Sequence, residues 1–371
     1  MGLAGPGWAA ENTPAGTPRA ESPGQRRFYL VDVFASERYA GNQLAVFMNG
    51  HLYSSEEMQR IAREFNFSEV TFFLPRDSRE GAYKVRIFTP QKELPFAGHP
   101  TLGTAYVLLK HWVKEPRPQI ALDLAVGRVP VRVEYAPRRG SAAHHEAGTG
   151  LDPNSWEPQL LVMRQNTPEF GAILARPEVA HALGLAEEDL DPCYPPQIVS
   201  TGLPFVIVPL QSLEAARRAW VQPAAHAALA KQYGCGDVLV FCPETVNPQA
   251  RLHVRVFVPL LGIPEDPATG SGNGCLAAYL LQHGYLAGKD LAAGPLATED
   301  AGPEPAVEIW AEQGVEMGRP SLLYLHAWRS GGEKDAGAGA APSPQRVDSP
   351  EAIAVEVGGR VVPVGWGALD P

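Results

Sequence analysis

Cysteine is scarce in this 371-residue chain, which has four: Cys193, Cys235, Cys242 and Cys275, widely spaced and without a CxxC pair. Such spacing excludes a zinc ribbon or a disulfide framework and suits a reducing, cytoplasmic setting. Positive charge is short as well: 31 Lys and Arg stand against 41 Asp and Glu, a formal net charge of -10, and no basic patch with interleaved aromatics offsets it. A phosphate backbone calls for the opposite surface, so nucleic acid is excluded as a partner. No apolar run approaches the roughly 18 residues that suggest a membrane span. The opening MGLAGPGWAAENTPAG has neither a basic start nor an apolar core, and does not read as a secretory signal. GxGxxG, Walker and GxSxG motifs are missing too. The histidines are scattered, with His144 and His145 in a polar loop, so no metal is expected.

What the chain does have is a faded copy of itself. Ile61–Phe73 (IAREFNFSEVTFF) aligns with Leu229–Phe241 (LAKQYGCGDVLVF), placing Glu69 opposite Asp237. Phe88–Leu109 then aligns with Phe257–Leu281, pairing Gly98 with Gly270 and His99 with Ser271. The second copy has three extra residues before its glycine, and Asp266 comes with them. With 45% hydrophobic and 19% charged residues, each copy can bury a core of its own. The period is too long for a solenoid and implies two similar domains with a small-molecule cleft between them.

Residues 1–26, rich in Gly, Pro, Ala and Thr, read as a disordered tail. The first domain spans 27–136. Its strands are expected at Phe28–Phe34, Asn42–Phe47, Val70–Leu74 and Tyr83–Phe88, with a closing hairpin at Ile120–Leu124 and Val129–Tyr135. Ser54 is an N-cap signal for a helix to about Phe65, with Asn66 as a left-handed stop, and Pro100 suits the first turn of a second helix to about Lys110. Pro137–Gly150 reads as a linker. The second domain, 151–352, has strands expected at Leu160–Arg164, Phe205–Val208, Val238–Phe241, Leu252–Val258, Val307–Trp310 and Leu322–His326. Its helices are expected near Pro177–Leu183, Leu213–Trp220 and Ala224–Tyr233 and from Gly272, and a mobile insertion near 331–346. Segment 353–371 supplies closing strands, one of them a candidate to complete the first domain. Strands outnumber helices. The fold class is therefore α+β: two pseudo-symmetric domains, each a sheet wrapped around a central helix.

Each copy leads a glycine-rich loop into a helix, at Ala97-Gly98-His99 and at Thr269-Gly270-Ser271. Free N–H groups and the helix dipole make such starts anion sites, and glycine admits close approach. Two of them facing each other suit a small carboxylate. Glu69 is a candidate proton carrier, because an acid inside FNFSEVTFF is at least half-buried and its pKa rises. His99, Asp266 and Ser271 are candidates to surround a ligand. Asp237, with weaker apolar flanks, reads as a structural remnant, and Cys275 as a small buried apolar residue.

Read together, GNQLAVF (Gly41–Phe47), FNFSEVTFF (Phe65–Phe73), LPFAGHPTLG (Leu94–Gly103), RQNTPEFG (Arg164–Gly171), EDPATGSGNG (Glu265–Gly274) and EQGVEMGRPS (Glu312–Ser321) resemble the PhzF-like family, named for the isomerase of phenazine biosynthesis. The resemblance spans roughly residues 27–371 apart from the insertions. It implies a diaminopimelate epimerase-like fold. In epimerases of that fold a cysteine from each half acts at these glycine loops; here Ala97 and Thr269 fill those places, which argues against two-thiol chemistry. The resemblance instead implies Glu69 as the residue that moves a proton across one face of a dihydro-hydroxyanthranilate ring. Gly98, His99, Asp266, Gly270 and Ser271 would line the ligand, with no organic cofactor or metal. It further implies a homodimer. Two alternatives stand beside that reading: an isomerase or epimerase of a different small acid, and a metabolite-binding protein without turnover.

Overall fold

A computed structural model describes residues 26–78, 81–135, 156–286, 306–330 and 352–370. Residues 1–25 of the expected tail, the 137–150 linker and the 331–346 insertion lie outside these.

The first half of the chain forms strands β1 (Arg26–Val33), β2 (Asn42–Phe47), β3 (Glu69–Phe73), β4 (Tyr83–Phe88), the short β5 (Glu93–Leu94), β6 (Gln119–Leu124) and β7 (Gly127–Tyr135). Its helices are α1 (Ser55–Phe65) and α2 (Gly98–Val107), the latter continuing as a π-helical run Leu108–Val113. Next come β8 (Pro158–Arg164), β9 (Glu169–Ile173), α3 (Arg176–Ala182), β10 (Gln197–Ser200), β11 (Pro204–Pro209), α4 (Leu213–Arg218) and α5 (Pro223–Tyr233). The chain continues through β12 (Val238–Cys242), β13 (Leu252–Val258), β14 (Ile263–Asp266), α6 (Gly270–His283), β15 (Ala306–Gln313), β16 (Ser321–Ser330), β17 (Ala352–Gly359) and β18 (Val361–Leu369).

Strand pairing repeats what the sequence duplicated. One sheet runs β18-β1-β2-β3-β4-β6-β7-β8, with β2 parallel to β3, β4 parallel to β6, and the other neighbours antiparallel. The other runs β9-β10-β11-β12-β13-β15-β16-β17, with parallel pairs at the same two steps, β11 with β12 and β13 with β15. The sheets join where β8 pairs antiparallel with β17. In this repeat β8 holds the place in the first sheet that β17 holds in the second, and β18 crosses back to pair with β1. The sequence signalled neither β9 nor β10. β9 (EFGAI) is short, mostly exposed and interrupted by Gly171, so pairing with β10 alone gives it strand character.

Each sheet curls around one helix. All ten residues of α2 are buried, as are eleven of the fourteen in α6. A helix enclosed on every side needs apolar or small residues all round, which explains why neither segment shows an amphipathic stripe. At Gly103 α2 packs closely on β1 and β2. A Cβ there would lie 2.6 Å from Leu44 Cδ2 and 2.8 Å from Val33 Cγ2. Gly103→Val is expected to overpack this contact and cost about 1–3 kcal/mol, read as a lower urea midpoint with an unchanged slope.

Candidate active site

The chain brings Glu69 to the centre through a capped helix. Ser54 Oγ accepts from Glu57 N at 3.2 Å while the Glu57 carboxylate accepts from Ser54 N at 2.9 Å, closing both ends of a capping box on α1. Asn66 ends the helix in the left-handed region, φ +52° and ψ 29°, and three residues later Glu69 opens β3. Alternation along β3 then sorts the side chains. Val70 and Phe72 join the aromatic layer of Phe47, Tyr53 and Phe88 beneath α1. Glu69 and Thr71 turn to α2: Thr71 Oγ1 lies 2.8 Å from Thr104 Oγ1, and Glu69 Oε2 lies 3.4 Å from His99 Nε2. Two strand residues advance about 6.6 Å and five helix residues about 7.5 Å, so both pairs form together.

α2 and α6 meet start to start. A Cβ on Gly98 would lie 3.4 Å from Gly270 Cα and 3.6 Å from Ser271 N, and one on Gly270 would lie 3.6 Å from Gly98 Cα. Met163 and Phe34 pack against the same junction, within 3.2 Å of the Gly98 position and 3.4 Å of the Gly270 position respectively. Glycine at both places lets the two positive helix ends come together. The residues just before them, Ala97 and Thr269, are the N-caps, so neither helix start carries a thiol. Cys275 sits inside α6, fully buried, its thiol pushed up to about 12 by burial.

Asp266, the last residue of β14, completes the group. Its Oδ1 accepts from Asn42 Nδ2 at 3.0 Å and Ser68 Oγ at 3.2 Å, and its Oδ2 from Thr269 Oγ1 at 2.6 Å. Gln313, fully buried, holds the turn that follows: its Nε2 donates to Asp266 O at 2.7 Å, and its Oε1 accepts from Thr269 N at 3.1 Å and from Asn273 Nδ2 at 2.8 Å. Burial, countered by those side-chain donors, leaves Asp266 at about 6. Burial and then the charge of Asp266 push Glu69 up to about 8. Burial drives His99 down to about 3, against a main-chain hydrogen bond at Gln43, so the ring is neutral at physiological pH. Glu69 Oε2 and His99 Nε2 are buried with no hydrogen-bond partner among the described residues. Buried polar atoms are rarely left so, and a site for a ligand is one physical reason.

The structure thus brings Glu69, His99, Asp266, Gly98, Gly270 and Ser271 into one place. Asp237 is elsewhere, half-buried ahead of β12 beside His226 of α5. Sequence reasoning passed over Asn42, Ser68 and Gln313. All three lie inside or beside motifs it had noticed, but short polar residues carry no signal of their own until their partners are known. A cleft of about 260 Å³ opens between the halves beside Ser68, with Gln43 and Gln91 on one wall and Ile263 and Met317 on the other. Among the described residues no group of three or more His, Cys, Asp or Glu is placed to hold a metal ion, and no helix is long and apolar enough to cross a membrane.

The chain is similar to known proteins over most of its length. Residues 31–338 match the family model PhzC-PhzF, described as phenazine biosynthesis-like protein. An uncharacterized isomerase of Mesorhizobium japonicum is 34% identical over 83% of this chain and 92% of that protein. A trans-2,3-dihydro-3-hydroxyanthranilate isomerase of Pseudomonas aeruginosa is also 34% identical, over 82% of this chain and 91% of the relative. The solved structure of a PhzF-family phenazine biosynthesis protein of Bacillus anthracis matches with a TM-score of 0.72 at 24% identity, covering 94% of this chain and 99% of that one, a likeness of fold.

Proposed function

The chain belongs to the phenazine biosynthesis-like PhzC-PhzF family, whose relatives are isomerases, and from that premise we propose that it moves a proton between two carbons of a small carboxylic acid, with Glu69 as the carrier. The observation that carries this reading is Glu69 itself: a half-buried side chain whose buried Oε2 has no hydrogen-bond partner among the described residues, 3.4 Å from a neutral His99, at the junction of two helix starts. As carboxylate, Glu69 takes a proton from an activated carbon, and the C–H electron pair shifts into the conjugated system. As carboxylic acid, it returns the proton to a second carbon on the same face, so atoms and electrons balance without a redox partner. The N–H groups at Gly270 and Ser271, with the Ser271 hydroxyl, hold the substrate carboxylate. His99 orients the neighbouring polar substituent, and the charge on Asp266 strengthens Glu69 as a base.

The substrate of first choice is trans-2,3-dihydro-3-hydroxyanthranilate, because one relative at 34% identity is named for that reaction. A different small acid is the second reading, favoured by an equally similar relative known only as an isomerase. Turnover of trans-2,3-dihydro-3-hydroxyanthranilate in heavy water tests the first, with solvent deuterium expected at the newly protonated carbon. Folded protein that leaves the compound untouched would rule that substrate out for this chain.

The pH profile follows from Glu69. The base form must be ionised, and its carboxyl stands at about 8, so kcat/KM is expected to rise with pH through a midpoint near 8. Asp266→Asn removes the negative neighbour and is expected to lower that midpoint. A profile that falls through the same pH would mean that the acid form of Glu69 acts first.

A further inference from the structure

Asn42 stands where the two halves grip each other. It opens β2, which runs parallel to β3 with Leu44 beside Glu69, and it is 1% exposed. Its carboxamide nitrogen donates to two acceptors of the second half, Asp266 Oδ1 and Ala268 O, each at 3.0 Å. The turn before it is held from the same side. Arg319 donates to Ala40 O and Gly41 O at 2.7 Å, and Gly41 N donates to Pro320 O at 3.3 Å. Gly41 has φ +66°, and a Cβ there would lie 2.3 Å from Val33 O, so the backbone has one way to present Asn42. An amide in that position does what neither a carboxylate nor an alkyl group does: it neutralises nothing, yet both its hydrogens bind the opposite half.

We propose that Asn42 is a positioning residue of this site: its carboxamide clamps the Asp266–Ala268 segment of the second half onto the strand layer that carries Glu69, keeping the two carboxyl groups together. This rests on the reading of Glu69 as proton carrier, and it adds the group that makes the environment of Glu69 depend on contact between the halves. The titratable groups acting on Glu69 are His99 from α2 and Asp266 from the segment ahead of α6. Losing the amide acts on Glu69 by two routes. Asp266 with one donor fewer, keeping Ser68 and Thr269, holds its own proton more readily and repels Glu69 less; a loosened second half also readmits water to Glu69. Both lower the pH at which Glu69 ionises.

The test is Asn42→Ala, read two ways. Without substrate, the Glu69 carboxyl is followed by carbon NMR in protein labelled at glutamate, with Glu69→Gln identifying the resonance. Its midpoint is expected to move down from about 8 by at least a factor of ten in proton affinity. With trans-2,3-dihydro-3-hydroxyanthranilate as probe, kcat on the high-pH plateau, where Glu69 is ionised in both proteins, is expected to fall tenfold or more with a smaller change in KM, and the pH profile to shift down with the carboxyl. An unmoved Glu69 midpoint in folded Asn42→Ala overturns the proposal. A moved midpoint in a protein whose wild type never turns the probe over keeps Asn42 in this role and removes the substrate assignment instead. If Asn42→Ala does not fold, Ser68→Ala removes the other first-half donor to the same oxygen, and a smaller shift in the same direction is required.

Discussion

Glu69→Gln is expected to lower kcat by about 10²–10⁴-fold, the usual range for losing a positioned acid–base group, while substrate still binds. Gln keeps the shape of the side chain but can neither accept nor return a proton to carbon. KM should change little, since the carboxylate site proposed at Gly270 and Ser271 and the orienting role proposed for His99 are untouched. Stability separates this outcome from simple damage. Burial and Asp266 raise Glu69 from 4.5 to about 8, so the folded protein holds that proton more tightly than the unfolded chain does. The wild type therefore loses stability as pH rises between those values, on the order of a few kcal/mol, and Gln has no proton to lose. Above pH 8 Glu69→Gln should accordingly unfold at a higher temperature than the wild type while being nearly inactive. A variant that keeps wild-type turnover of a confirmed substrate would remove Glu69 from the mechanism.

The largest expected effect on folding lies away from the cleft, at Glu312. Its carboxylate, 2% exposed, accepts from Val246 N at 2.7 Å, Asn247 N at 2.6 Å and His253 Nδ1 at 2.7 Å. The other ring nitrogen of His253 lies 3.2 Å from Glu316. Burial works against charge on all three groups, but the hydrogen bonds outweigh it: His253 is raised above 6.5, and Glu312 and Glu316 are lowered below 4.5. Glu312→Ala takes a hydrogen-bond partner from fully buried His253 and leaves two main-chain donors unpaired, a loss of about 3–5 kcal/mol where His253 is protonated. Thermal unfolding at neutral pH should show a clearly lower midpoint. The pH dependence has a definite sign. The His253 contribution is complete below 6.5 and fades as pH rises through its raised value. The Glu312 and Glu316 contributions are complete above 4.5 and fade as pH falls through their lowered values. The deficit of Glu312→Ala should therefore be widest between about 4.5 and 6.5. A deficit that did not vary with pH would mean that the network is not ionised as described.

Much of this protein is legible in its sequence. The halves were visible because duplication leaves aligned glycines and prolines behind: the aligned segments put β3 opposite β12 and α2 opposite α6, and the two sheets repeat the same order of parallel pairing around them. Ser54 and Asn66 marked the ends of α1 because caps are local chemistry, decided within four residues. Glu69 stood out because an acid between Phe67 and Val70 has few places to go. These features belong to near neighbours along the chain, and short-range sterics and periodicity suffice to read them.

What lies between distant segments was beyond that reach. Nothing near Asn42 announces that its amide meets Asp266, 224 residues away. Nothing near His253 announces Glu312, 59 residues on. Both pairs exist because the topology lays the Ala40–Asn42 turn against the Arg319 loop, and β13 beside β15 in parallel. The sequence by itself determined the duplicated halves, the two glycine-led helices and the acid in its apolar run, since each follows from local conformation and burial. Only the tertiary structure decided that Asp266 would be held by a residue of the opposite half and that its charge would raise Glu69. Hydrogen bonds and Coulomb forces act over a few ångströms in space, whatever the separation along the chain.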